Sequence, residues 1–464
     1  MGRIQKADQI LDHGYVITMD PQRNVYVDGA VVVIGEKIAA VGKREDILEK
    51  YQGRIHDCKG GVVHPGLIDA HEHLCHHVTR GWEPDTFTVL DTWTKFESLI
   101  YPALTEKDEH IGVEFSTLEM VRNGTTAFSD TGSAFFSMDN IIEPVNRVGI
   151  KGIISNFGGN TFPPELAFLA KEPEEILRVM EENLKRYGKN SGYRVRAGVQ
   201  LCGMGDCSDP LVLGAKEIAR RTDDVLYMHQ CVSLDEMNLY RKLYGQTPIE
   251  HLDSLGVLDE KTTLVHMIHL TDEDIRRLAK TGTNVVHCPG ASVKYGLGAS
   301  SVGKFPEMAE AGITLALGTD SSTWSDALDI FQQIYLAATI HREARRKQVP
   351  LHSYRAFEMA TLGGAKAIGM ADEIGSIEVG KSADLVIHTQ DIPECCPAFD
   401  PFINLVYSSR SKSVRDVMVD GRWIVLDGHA TQVDEERIMA QAREAAADLA
   451  KRTGYRIYTP WKLQ

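Results

Sequence analysis

The stretch that most constrains this chain is Gly66-Leu67-Ile68-Asp69-Ala70-His71-Glu72-His73, which sets two imidazoles two residues apart at the end of a short apolar run. Residues i and i+2 of a β-strand point to the same side, so His71 and His73 can converge on one metal ion. Three later apolar runs supply partners for the pair: His229, His266 and Asp320 each close one of them. The fold must therefore bring the ends of several separate strands to one place.

Between about 64 and 365, strand-like apolar runs alternate with helical stretches that carry charged faces, the βα texture of a parallel sheet or barrel. Candidate strands at 67–71, 125–130, 152–156, 195–201, 225–229, 263–266, 284–287 and 314–320 suit an α/β chain folded as a (β/α)8 TIM-like barrel. In such a barrel the reactive residues sit at the C-terminal strand ends. Short β-rich runs at 14–42 and again at 383–387, 414–419 and 422–426 are too small to bury both faces alone, so the two chain ends are expected to pair into one small β-sandwich. Residues 434–452 begin acidic and end basic, which fits a docking or oligomer helix with its dipole complemented. The expected division is 1–63 (sandwich, first part), 64–365 (catalytic barrel), 366–430 (sandwich, second part) and 431–464 (helix and tail), and 464 residues suffice for it.

Charge narrows the partners. With 65 acidic against 50 basic residues the net charge is −15, and no basic cluster offers a surface for nucleic acid or an anionic membrane; a small neutral or cationic molecule fits better. The N-terminal residues lack the apolar core of a signal peptide and no later run could span a bilayer, so the expected location is cytoplasmic. Eight cysteines without CxxC spacing read as reduced thiols.

Three imidazoles and a carboxylate suit one divalent ion, zinc before iron, cobalt or manganese. Such an ion lowers the pKa of bound water from ~15.7 toward ~7, giving a hydroxide nucleophile, and Asp320 can take its proton and pass it to a leaving group. His266 could hold the water or polarise the substrate, against the plainer role of a core histidine. His269 and His287 are candidates for the pocket, weighed against packing, and Trp82 and Trp93 could wall it. His76 and His77 are expected to be solvated or substrate-facing.

The motif from Gly66 to His73, together with Val265-His266-Met267-Ile268-His269-Leu270, His287-Cys288-Pro289, Gly318-Thr319-Asp320 and the tail from Gly375 to Val386, resembles the amidohydrolase superfamily in its cytosine deaminase, methylthioadenosine deaminase and triazine hydrolase branch. The resemblance runs from about residue 10 to 430. It implies a mononuclear site of His71, His73, His229 and Asp320 with His266 beside the water, and a homo-oligomer. The fourth candidate strand has no lysine to carbamylate, which also favours one metal.

One position departs from the pattern. The branch's deaminases carry a glutamate three residues after the strand-five histidine, and here Val232 stands there, with Asp235 and Glu236 further on. Ring deamination needs a ring nitrogen protonated, whereas acyclic amides, ureas and carbamates need carbonyl polarisation and leaving-group protonation. The sequence therefore sets hydrolysis of a non-peptide C–N bond in an amide, urea, carbamate or thiocarbamate slightly ahead. The alternatives are deamination or dechlorination of a pyrimidine, purine or s-triazine and, from another class, a non-catalytic assembly relative.

Overall fold

The barrel is filled in chain order. In this computed structural model, which describes residues 4–459 and 461, Leu67–Glu72, Thr125–Ala134, Lys151–Asn156 and Val195–Ala197 form a parallel four-stranded sheet. A parallel five-stranded sheet follows, made of Val199–Gly203, Leu226–Gln230, Thr262–His266, Asn284–His287 and Leu315–Leu317. Val195–Ala197 and Val199–Gly203 are two halves of one barrel position broken at Gly198, whose N–H donates to Ile154 across 2.9 Å. Eight positions result, as the sequence predicts. Most residues of these strands are buried, and the second, Thr125–Ala134, is buried throughout although more than half its residues are polar.

The eighth strand is shorter than 314–320. It ends at Leu317, and Gly318 to Asp320 cross to the first strand, where the Asp320 N–H donates to the His71 carbonyl at 2.9 Å. Gly318 is required there: a Cβ would lie 2.6 Å from His71 Cβ and 2.8 Å from its carbonyl oxygen.

Both chain ends meet in one nine-stranded sheet beside the barrel. The seam is Val62–Pro65, parallel to Gln5–Ile17 on one side and antiparallel to Leu385–His388 on the other. Its core gathers Leu11, Val16, Val31 and Val33 with Leu385, Ile387 and Met418. Lys151 ties barrel to sheet, its Nζ 2.6 Å from both Asp384 and Asp420.

The last helix, Glu435–Thr453, is capped by the Asp434 side chain and buries Ile438, Ala442, Ala445 and Leu449. Arg437 and Arg452 fasten it to Glu114 (2.8 Å) and Asp108 (2.6 Å) of Glu106–Arg122. It docks within the chain. The expected first and last segments also include 1–3, 460 and 462–464, which lie outside the described residues. Among those described, no helix is long and apolar enough to cross a membrane.

Candidate active site

His71 lies within the first barrel strand and His73 just beyond it in extended backbone (φ −133°). Both reach His229, whose Nε2 is 3.1 Å from His71 Nε2 and 3.3 Å from His73 Nε2. On the far side of its ring, His229 Nδ1 sits 2.6 Å from the Cys202 carbonyl. That contact requires the proton on Nδ1 and leaves Nε2 with a bare lone pair aimed at its neighbours.

Asp320 completes the group. Its Oδ1 lies 3.8 Å from both His71 Nε2 and His73 Nε2, and its Oδ2 is 3.8 Å from His266 Nε2. Oδ2 is buried without a hydrogen-bond partner among the described residues. Burial holds the His229 imidazole down to about 4, pushes those of His71, His73 and His266 well below their ordinary value, and lifts the Asp320 carboxyl to about 7. Neutral imidazoles with converging lone pairs and an orphaned carboxylate oxygen form a donor set that a divalent cation fits.

Three residues of this cluster have strained backbone. His266, Met267 and Asp320 adopt φ of 73°, 52° and 63°, in the left-handed region that side chains disfavour. Val265 packs in the barrel interior, so alternation would aim His266 away from it; the turn at His266 brings the imidazole back to Asp320. Asp69 braces the two strands, its Oδ1 accepting from the N–H groups of Thr319 (3.0 Å) and His71 (3.3 Å).

Over this cluster opens a cavity. Trp93, Tyr101, Phe157, Phe162 and Trp324 wall it, and besides Asp320 it contains the acids Glu97 and Asp206; among the described residues no lysine or arginine lines it. Burial raises Glu97 to about 8 and Asp206 to about 7. A second recess adjoins it, sharing Trp93, Met204 and Asp206 and continuing to Val232, Glu236 and Leu239.

His71, His73, His229, His266, Asp320 and Trp93 are thus brought together. Three expected pocket residues are not. Trp82 stacks on Tyr455 at 4.3 Å, because the C-terminal segment folds over it. His287 lies on the strand face opposite Val286 and stacks on Phe305 at 3.7 Å, with His341 Nε2 at 3.3 Å. His269 follows the turn at His266 and Met267, which carries its half-buried side chain out of the cavity lining. Of His76 and His77, expected to be solvated or substrate-facing, His76 does line the cavity, its Nε2 3.1 Å from the Tyr101 hydroxyl, whereas His77 is buried and pairs with Glu119 at 2.7 Å.

Glu236 does not stand in for the carboxylate missing at Val232. Its oxygens accept from the N–H groups of Cys231 (2.7 Å) and Val232 (2.8 Å) and from the Gln230 amide (2.7 Å), which commits it to the strand end. The sequence reading missed Glu97, Tyr101 and Asp206. The signal for two of them was a spacing of four: Trp93, Glu97 and Tyr101 follow one face of the helical stretch that includes the π-helical Thr92–Glu97, a form frequent at functional sites.

Comparison with known proteins bears on this geometry. A model described as the amidohydrolase family matches residues 62–424. A 5′-deoxyadenosine deaminase of Methanosarcina mazei is 30% identical over 449 residues, 96% of this chain and 99% of that protein. A 5-methylthioadenosine/S-adenosylhomocysteine deaminase of Syntrophobacter fumaroxidans is 30% identical, covering 95% and 98%. Among solved structures, an adenosine deaminase of Xanthomonas campestris with bound zinc superposes with a TM-score of 0.87 at 25% identity, covering 97% of this chain and all of that one.

Proposed function

This chain belongs to the amidohydrolase family and acts on carbon–nitrogen bonds other than peptide bonds, and we propose that it is an aminohydrolase releasing ammonia or an amine from a flat, uncharged or basic N-heterocycle. From sequence alone, Val232 set acyl-type cleavage slightly ahead. The relatives' names, spread along nearly the full length of each protein, favour the second reading instead.

The observation that carries the proposal is the cavity. Aromatic faces at Trp93, Phe157, Phe162 and Trp324 suit a planar ring, and the acids Glu97 and Asp206, with no lysine or arginine among the described lining residues, suit ring nitrogens and N–H groups rather than an anion. We assign His71, His73, His229 and Asp320 as the ligands of one divalent metal, with zinc favoured by the donor set and by the zinc in the Xanthomonas structure. A metal held by these residues would lower the pKa of a water toward ~7 and so supply the nucleophile near neutral pH. Asp320 is then positioned to accept the water's proton and deliver it to the departing nitrogen. His266, 3.8 Å from Asp320, can donate a hydrogen bond to the oxygen being added and keep it aligned.

The test is ammonia release from 5′-deoxyadenosine, cytosine and melamine, in parallel with amine release from a phenylurea and an anilide. Turnover of heterocycles supports the reading. Cleavage confined to the urea or anilide would return the assignment to acyl-type hydrolysis.

A further inference from the structure

The Val232 position leaves a chemical requirement without an owner. Water adding to the amino-bearing carbon of a heterocycle drives an electron pair onto the adjacent ring nitrogen, which must gain a proton. Glu236 is occupied by three hydrogen bonds, two of them to backbone N–H groups. We propose that Glu97 is the catalytic acid of this enzyme, donating its carboxyl proton to the ring nitrogen from the wall of the cavity. The proposal rests on the aminohydrolase reading above.

Three observations support it. Glu97 lines the same cavity as His73, His229, His266 and Asp320, although it comes from the segment after the first barrel strand and not from the fifth. It is 8% exposed, so its carboxyl meets the cavity and little bulk solvent. Tyr101, four residues on, contacts His76 Nε2 at 3.1 Å, and the His76 ring lies 5.8 Å from that of His73, so the helical stretch that carries Glu97 packs beside the donor cluster. Burial, with nearby Glu83, lifts the carboxyl to about 8, so at neutral pH it carries the proton to be given.

The step balances. The C–O bond forms as the ring C=N pair moves to nitrogen and takes the Glu97 proton. The water's first proton travels through Asp320 to the amino group, and the C–N bond breaks to release ammonia. As the carbonyl forms, the added oxygen loses its remaining proton and the Glu97 carboxylate takes one up, leaving a ring lactam N–H.

The experiment compares the parent enzyme with Glu97→Gln, which keeps the shape and a hydrogen-bond donor but cannot transfer a proton, and with Asp206→Asn. On whichever heterocycle the parent turns over, Glu97→Gln is expected to lower kcat by at least ~100-fold, as loss of a general acid does, with KM and metal content near the parent's. Adding Val232→Glu to Glu97→Gln should restore at least about tenfold of the loss, within the range such an acid supplies. Parental kcat in Glu97→Gln, or a loss confined to Asp206→Asn, overturns the proposal. A parent inert on every heterocycle overturns the underlying reading as well, which separates the two failures.

Discussion

The backbone N–H of Asp320 donates to the carbonyl of His71 across 2.9 Å, so the bond that closes the barrel between its eighth and first strands also fixes the carboxylate beside two of the imidazoles. Asp69 reinforces the same junction through Thr319 and His71. Barrel closure and assembly of the donor cluster are one structural event. The strain at Asp320 is then held by the two strands that it joins.

Gly318→Ala should therefore damage both together. The new methyl would meet His71 at 2.6 Å (Cβ), 2.8 Å (O) and 2.9 Å (N), two of them backbone atoms that cannot swing aside. We expect a stability loss of about 1–3 kcal/mol, the usual cost of overpacking, and metal affinity weakened by about 10–100-fold, as when groups that orient ligands are disturbed. Calorimetry and chelator titration test this; a lowered Tm with undiminished metal affinity would refute the coupling.

Trp93 and Trp82 should separate cleanly. Trp93 stands between the metal-side cavity and its neighbouring recess, so Trp93→Ala should raise KM for a heterocycle by about tenfold, equivalent to the ~1.4 kcal/mol within reach of one aromatic stacking contact. Trp82 stacks on Tyr455 outside the cavity, so Trp82→Ala should lower Tm and leave KM alone. Steady-state kinetics with melting curves would decide, and the reverse pattern would place the ring site elsewhere.

The barrel was legible because strands buried on both faces write themselves as apolar runs ending in chemistry-bearing residues, as at His229 and Asp320. His71 and His73 were legible for the same reason, through local spacing. His287 misled because a strand-end histidine looks alike whether it faces the mouth or the surrounding helices, and only packing against Phe305 distinguishes the two. Trp82 misled because its partner, Tyr455, lies some 370 residues on. Glu97 is not marked by a strand end, because it lies on a π-helical turn in the segment after the first barrel strand. Asp206 had no periodic pattern to announce it, and Glu236 gave no sign in the sequence that it would be committed to backbone N–H groups.

An anionic substituent on the substrate should be rejected. Among the described residues no lysine or arginine lines the cavity, so a phosphate drawn into it would be buried with no side-chain cation to pair with, which costs several kcal/mol. Adenosine 5′-monophosphate should show a kcat/KM at least about tenfold below that of 5′-deoxyadenosine, since each 1.4 kcal/mol is a factor of ten. Equal rates for the two would mean that the substituent never enters the cavity.

Glu97 should give the enzyme a pH signature in both rate and stability. Burial raises its carboxyl from an ordinary 4.5 to about 8, so the folded chain retains a proton that the unfolded chain loses much earlier. A raised folded value means that the stability from this group is complete below about 4.5 and is lost as the pH climbs to about 8. Glu97→Gln carries no ionisable group there, so its Tm should gain on the parent's between pH 5 and pH 9, with both proteins metal-loaded. The same proton sets the rate: kcat/KM of the parent should fall as pH rises through about 8, and the residual activity of Glu97→Gln should lack that limb. Calorimetry at three pH values with a pH–rate profile for each protein measures both. A Tm difference that stays constant while the alkaline limb persists in Glu97→Gln would show that another group holds the proton.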